Sequence, residues 1–125
     1  MLQQNNFYMI KSFSTTEKKN IHAEIELNAS HNIFKGHFPG SPVLPGVCLI
    51  QISKEILENA LGVKTALVQS SQSKFLAVVN PTVDIVLKIA LETKEQDGLI
   101  SLNSTISGGE KIFFKFKGGF KRYNV

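Results

Sequence analysis

Hydrophobic and polar residues alternate along much of the chain with the period of two that is typical of half-buried β-strands. Three segments carry the clearest alternation, and each places one set of residues on a common face: Ile21, Ala23, Ile25 and Leu27; Val83, Ile85, Leu87, Ile89 and Leu91; Ile100, Leu102, Ser104 and Ile106. Weaker alternation over residues 7 to 14 and about 65 to 77 predicts two more strands. Towards the end, Ile112, Phe114 and Phe116 alternate with lysines. The pattern predicts an antiparallel sheet of five or six strands.

One segment, about residues 46 to 61, follows the helical period instead. Pro45 precedes it and Gly62 follows it, which are favourable residues for a helix start and a helix end. At 100° per residue, half of the helix circumference is apolar, and the other half carries Gln51, Lys54, Glu55, Glu58 and Asn59. One apolar-backed helix among antiparallel strands predicts an α+β fold in which the sheet wraps around the helix, as a single domain over residues 1–125.

Composition narrows the class of protein. Apolar residues make up 42% of the 125 residues, and no uninterrupted apolar run is long enough for a membrane span. The first residues, MLQQNNFYMIKSF, lack the features of a secretory signal, and the single cysteine, Cys48, has no internal disulfide partner. We therefore expect a cytoplasmic protein in which Cys48 is a buried small apolar residue.

The net charge of +4 comes partly from the final segment EKIFFKFKGGFKR. Its lysines have strand spacing, which predicts an ordinary half-buried strand whose lysines discourage edge pairing. A basic surface that receives an acidic carrier protein is the alternative, with Lys111, Lys115, Lys117 and Lys121 as candidates. No nucleic-acid-binding motif accompanies the charge, so we do not expect a nucleic-acid partner.

The loop HFPGSPVLPG, residues 37 to 46, carries the candidate chemistry. Its prolines and glycines restrict the backbone strongly, and it leads directly into the predicted helix. A helix start at Gly46 would direct free N–H groups and the positive end of the helix dipole at a carbonyl oxygen. His37 titrates near neutral pH and could remove a proton from the carbon beside such a carbonyl, although a structural hydrogen-bonding role is the commoner use of a histidine.

The segment HFPGSPVLPGV, from His37 to Val47, resembles the signature H-F-P-G-x-P-x-x-P-G-V of the β-hydroxyacyl-acyl-carrier-protein dehydratases at every fixed position. The resemblance implies a hotdog fold and a lyase that removes water from a (3R)-3-hydroxyacyl thioester on acyl carrier protein, in fatty-acid or polyene-type lipid biosynthesis, without a metal or redox cofactor. It assigns proton removal at C2 to His37 and polarisation of the thioester carbonyl to the Gly46 N–H. Five further residues of this segment are expected to bind substrate: Phe38, Pro39, Gly40, Pro45 and Val47.

The chain departs from that family on the helix. The family has an acid fourteen residues after the histidine and an amide four residues later, whereas this chain has Gln51 first and Glu55 second. An amide cannot release a proton near neutral pH, so Gln51 cannot act as the general acid.

Three interpretations of the exchange stay open. Glu55, about 6 Å and one turn away, takes over the acid role; a paralogous partner supplies the missing acid; or the chain binds acyl thioesters with little or no turnover. The second interpretation follows from the family's dimers, in which histidine and carboxylate come from different chains. The last two are compatible with Glu55 as a solvated helix carboxylate beside the Lys54–Glu58 pair.

The family also implies oligomers: a homodimer, a heterodimer or a trimer of dimers. A hotdog thioesterase, in which Glu55 directs water at the carbonyl, is a less favoured alternative because the His37 loop is typical of dehydration.

Overall fold

The computed structural model describes residues 6–17, 19–31 and 43–123. These residues form six strands and one α-helix, in the order β1 (Tyr8–Thr16), β2 (Asn20–Leu27), α1 (Gly46–Leu61), β3 (Thr65–Phe75), β4 (Val86–Gln96), β5 (Leu99–Gly108) and β6 (Lys111–Arg122). The predicted helix bounds are confirmed, as are the two weaker strand predictions at β1 and β3.

The six strands form one antiparallel sheet in the order β1-β2-β4-β5-β6-β3. Strand β2, before the helix, pairs with β4, after it, while β3 crosses to the far edge beside β6. The sheet curves around α1, which contacts β2, β3 and β4. This is the predicted α+β architecture, with the core between the inner face of the sheet and the helix.

Most of the predicted core lies where the alternation placed it. The inward residues of β2 and β5 are buried, including Ser104. In β4, Leu87, Ile89 and Leu91 are buried, but Val83 and Ile85 are exposed, so the prediction is wrong for these two. The reason is a turn over residues 80–84, in which the Asn80 N–H donates to the Asp84 carboxylate, and the strand begins only at Val86.

Alternation also fails at one point in β6. Ile112, predicted to face inward, is exposed, whereas Phe113 and Phe114 are both buried. Ile112 pairs with Ser107 and Phe114 pairs with Ile106, so Phe113 is an extra residue in the ladder. A β-bulge of this kind shifts the side-chain alternation by one residue. Phe116, Lys115 and Lys117 keep their predicted sides.

The polar half of α1 differs most from its prediction. Glu55 is only 3% exposed and Glu58 only 9%, so neither is a solvated helix carboxylate. Both lie in a helix that is largely enclosed, whose buried residues also include Ser53 and Cys48. The burial of Cys48 confirms its prediction as a small core residue.

Candidate functional site

The start of helix α1 consists of Pro45, Gly46 and Val47. Pro45 and Gly46 are partly buried, and Val47 is exposed. Pro45 is the N-cap with an extended backbone, and no acidic side chain lies in the first helical turn. The first N–H groups of any α-helix lack intrahelical acceptors. The N–H groups of Gly46 and Val47 lie at the positive end of the helix dipole. That the Gly46 N–H polarises a carbonyl oxygen stays a prediction.

Phe75, at the end of β3, explains why a glycine stands at the helix start. A Cβ on Gly46 would lie 2.5 Å from Phe75 Cε1 and 2.8 Å from Phe75 Cζ, so any side chain would displace the ring. The ring packs on Phe114 at a centroid distance of 4.8 Å, yet Phe75 remains 57% exposed. The Phe75 ring thus lies beside the Gly46 backbone, a contact that the sequence pattern does not reveal.

Gln51 and Glu55 contact each other directly. Gln51 Nε2 donates a hydrogen bond to Glu55 Oε2 at 2.8 Å, as residues four apart on a helix can do. Gln51 is half-buried and Glu55 is buried. The amide is therefore the more accessible group of the pair.

Tyr8, from β1, contacts the other oxygen of the same carboxylate. Its hydroxyl donates to Glu55 Oε1 at 2.8 Å, and Tyr8 is itself buried. Burial, reinforced by the negative charge of Glu55 and by this hydrogen bond, raises the pKa of Tyr8 above its ordinary value. Burial, with a smaller contribution from Glu55, also raises the pKa of Cys48, so this thiol is not an activated nucleophile.

The Tyr8 contact joins residues 47 positions apart and was missed by the sequence analysis. The sequence contains one signal for this contact. Tyr8 follows Phe7 in a predicted strand, and a tyrosine that is buried needs a hydrogen-bond partner for its hydroxyl. The helix carboxylates are the candidates for that partner, but periodicity alone does not select between them.

Glu58, one turn beyond Glu55, has a different environment. Its Oε2 accepts hydrogen bonds from the Thr65 backbone N–H at 2.5 Å and from the Thr65 hydroxyl at 3.2 Å. Lys54 Nζ lies 3.9 Å from the same oxygen. This carboxylate ties the end of the helix to the first residue of β3.

His37, Phe38, Pro39 and Gly40 lie outside the described residues, so their assigned roles stay predictions. Within residues 6–17, 19–31 and 43–123, no three His, Cys, Asp or Glu side chains cluster in a way that would hold a metal ion. The same part of the chain contains no helix with the length and apolar character needed to cross a membrane.

The fold and the helix define a class of protein. The chain is similar over 91% of its length to a chain of the dehydratase heterocomplex ApeI:P from Xenorhabdus doucetiae, with a TM-score of 0.74 and 18% identity. It is also similar to a hypothetical thioesterase from Streptococcus pneumoniae solved with coenzyme A, with a TM-score of 0.66 and 14% identity, over 99% of this chain and 98% of that one. The match to the dehydratase heterocomplex ApeI:P covers 97% of the chain from that complex. At these identities the likeness shows the fold alone, which is the hotdog fold.

The family follows from sequence. Residues 13–113 match the family model of the ApeI-like dehydratases, and the chain belongs to this family. It is 33% identical over 90 residues to a 3-hydroxyacyl-[acyl-carrier-protein] dehydratase FabZ from Levilactobacillus brevis, covering 66% of this chain and 60% of that protein. A FabZ from Latilactobacillus sakei is 31% identical over 101 residues, covering 69% of this chain and 67% of that protein. The chain thus matches somewhat less than two thirds of the first of these relatives.

Proposed function

We propose that this chain is a subunit of a (3R)-3-hydroxyacyl-acyl-carrier-protein dehydratase that provides His37 and Gly46, while a second hotdog chain provides the general acid. The observation that carries the proposal is the position of Glu55. Its carboxylate is buried, and each oxygen accepts a hydrogen bond, one from Tyr8 and one from Gln51. Glu55 is therefore poorly suited to take over the acid role directly.

The chemistry of the proposed site is elimination of water. His37 removes the proton from C2, and the Gly46 N–H stabilises the negative charge that develops on the thioester oxygen. The bond between C3 and its oxygen then breaks. The partner's carboxylic acid protonates the departing hydroxyl, which leaves as water, and the product is an enoyl thioester. No metal or redox cofactor takes part in this proposal.

The surface of the chain supports an oligomer. Strand β3 lies at an edge of the sheet, and its exposed side chains include Leu67, Val68 and Phe75. Val47, at the helix start, is 72% exposed. Exposed edge strands and apolar side chains are typical of surfaces that a partner covers. We infer that a second hotdog chain, with an Asp or Glu at the position equivalent to Gln51, covers this surface. A homodimer of this chain and a trimer of dimers are the alternatives.

A basic surface supports acyl carrier protein as the substrate carrier. Lys115 and Lys117 line a groove on the outer face of the sheet together with Lys74, His22 and one acid, Glu92, so lysines outnumber acids there. Lys111 and Lys121 are also exposed. Such a surface favours an acidic partner.

Reversing the charge at two positions, with Lys115→Glu and Lys117→Glu, should raise KM for the carrier-protein thioester and leave KM for the pantetheine thioester unchanged. Equal effects on both substrates would exclude this docking surface.

The decisive experiment combines composition and product analysis. The complex isolated from its own cells should contain a second hotdog chain by native mass spectrometry, and it should convert a 3-hydroxyacyl carrier-protein thioester to the enoyl thioester. His37→Ala should abolish this product in sites that use His37. Free acid and free thiol would instead identify a thioesterase. A homodimer with rapid dehydration that requires Glu55 would contradict the proposal.

The same experiment separates the binding alternative. A complex that binds the thioester but forms neither product would support a non-catalytic acyl-thioester-binding subunit. The cytoplasm, where carrier-protein thioesters and a reduced Cys48 are both expected, is the compartment that we propose.

A further inference from the structure

We propose that Tyr8 is a positioning residue which, through Glu55, fixes the orientation of the Gln51 amide so that its carbonyl oxygen faces the 3-hydroxyl group of the substrate. The inference rests on the proposed function: a complex of two hotdog chains has a second site, in which Gln51 of this chain takes the place that the partner's acid has in the His37 site and contacts the substrate hydroxyl. It goes further in assigning the polarity of the contact: Gln51 accepts a hydrogen bond, and a donor on the substrate satisfies it.

The two ends of the Gln51 side-chain amide differ in the hydrogen bonds that they can make. An ionised carboxylate only accepts hydrogen bonds, whereas an amide has a donor end and an acceptor end. Glu55 Oε2 lies 2.8 Å from the Gln51 side-chain nitrogen. With the NH₂ group held by the carboxylate, the carbonyl oxygen of Gln51 is the end that points away from Glu55. Gln51 is half-buried, so this oxygen belongs to the more accessible part of the pair.

Tyr8 holds the Glu55 carboxylate in the orientation that accepts from Gln51. Tyr8 donates to Oε1 from within the core, and its hydroxyl is 2.8 Å away. Burial and the neighbouring carboxylate raise the pKa of Tyr8, which favours its neutral, donating form. A hydroxyl that donates to one oxygen of a carboxylate fixes the direction in which the other oxygen accepts. Tyr8 thereby orients the Glu55 carboxylate so that Oε2 accepts from Gln51.

The orientation of the Gln51 amide determines which acyl chain can satisfy it. A 3-hydroxyacyl chain can donate to the Gln51 oxygen, but a 3-oxoacyl chain has only acceptor lone pairs at the same position. Two acceptors facing each other leave both groups unsatisfied, which is costly in a partly buried site. The Tyr8–Glu55–Gln51 chain of hydrogen bonds thus selects the reduced acyl chain over its oxidised counterpart.

Dissociation constants are measured for the purified chain with two pantetheine thioesters of the same acyl length, one 3-hydroxyacyl and one 3-oxoacyl. The wild type should bind the 3-hydroxyacyl thioester about 10-fold more tightly. Tyr8→Phe and Glu55→Gln should both reduce this ratio to about twofold or less by weakening the 3-hydroxyacyl thioester alone. Glu55→Gln has this effect because an amide at position 55 can accept from or donate to Gln51, so the orientation is no longer determined.

A matched control lies on the same helix. Ser53 is fully buried, and its hydroxyl contacts Ser104 Oγ at 2.7 Å and the Leu49 carbonyl at 3.1 Å, away from this network. Ser53→Ala should therefore lower stability without changing the ratio of dissociation constants. A residue with a purely structural role would behave like Ser53. If Tyr8→Phe does not fold, Glu55→Gln decides the question, because it retains the size of the side chain.

The outcomes are separable. A wild-type ratio near one, a preference for the 3-oxoacyl thioester, or an unchanged ratio in Glu55→Gln would each overturn the assigned polarity while the proposed function stands. Failure of the wild-type chain to bind either thioester would overturn the inference alone, because the proposed function requires the second chain and is tested by product formation in the isolated complex.

Discussion

Two carboxylates lie one turn apart on α1, both buried, and the groups that hold them differ in kind. Glu58 accepts from the Thr65 backbone N–H and hydroxyl, which fixes the connection between the helix and β3. Glu55 accepts from the side chains of Tyr8 and Gln51. A carboxylate that accepts hydrogen bonds from the backbone stabilises the fold. A carboxylate that orients a side-chain amide also determines whether that amide presents its donor end or its acceptor end. Burial of a helix acid alone does not distinguish these two roles.

The largest effect is expected at the Gln51–Glu55 pair. Gln51→Glu should raise the rate of enoyl formation by the chain alone about 10²- to 10⁴-fold, because it restores one positioned general acid. Two carboxyl groups at this distance share a proton, which raises the pKa of one of them. Activity should accordingly fall as pH rises through that raised pKa. A pH–rate profile measures this, and the isosteric Gln51→Met variant is the inactive control.

The second effect is expected at the other carboxylate. Glu58→Ala leaves the buried Thr65 N–H without its acceptor, which should lower the free energy of unfolding by about 1–3 kcal/mol. Urea denaturation measures the loss, and Thr65→Val, which removes only the hydroxyl bond, should cost less. The ratio of dissociation constants for 3-hydroxyacyl and 3-oxoacyl thioesters should not change. A changed ratio would mean that both carboxylates serve the site.

Removal of the Tyr8 hydroxyl should have a smaller effect on stability. Tyr8→Phe should cost about 1 kcal/mol near neutral pH, as for a typical hydrogen bond. The pKa of Tyr8 is raised above 10.0 in the folded chain, so its contribution is complete below that value and is lost as pH rises through the folded pKa. Wild-type stability should therefore fall more steeply above pH 10 than that of Tyr8→Phe. Parallel curves would contradict the assignment of this proton to Tyr8.

The smallest effect is expected at Lys54. Its Nζ lies 3.9 Å from Glu58 Oε2, and its side chain is 29% exposed. Partly exposed ion pairs contribute little, so Lys54→Gln should change the free energy of unfolding by less than about 1 kcal/mol. A loss comparable to that of Glu58→Ala would show that the charge pair, rather than the Thr65 backbone bond, holds this carboxylate.

The sequence predicted the features that depend on local pattern. Helix α1 has its predicted bounds because Pro45 and Gly62 are strong local signals, and Gly62 adopts the left-handed backbone, with φ of 72°, expected of a helix C-cap. The alternation in β5 was predicted correctly as far as Ser104 and Ile106. The bulge at Phe113 was not, because it depends on the register with β5, which the pattern within β6 does not reveal.

The candidate site was predictable only in part. The exchange of acid and amide at Gln51 and Glu55 is visible in the sequence, and so is the glycine at the helix start. The burial of Glu55 was not predictable, because the group that holds its carboxylate within the core, Tyr8, comes from a strand 47 residues away. The approach of Phe75 to Gly46 likewise depends on how β3 returns past the helix.

Exchanging the amide of Gln51 and the carboxyl of Glu55 tests most directly whether the chain lacks only an acid at position 51. The double variant Gln51→Glu/Glu55→Gln contains the same side chains in the opposite order, with the acid in the accessible position and the amide beside Tyr8. Initial rates of enoyl formation from a 3-hydroxyacyl carrier-protein thioester would be compared for the wild type, Glu55→Gln and the double variant. We predict a slow wild type, little change in Glu55→Gln and a gain of about 100-fold or more in the double variant. An active wild type that loses its activity in Glu55→Gln and does not regain it in the double variant would contradict the account.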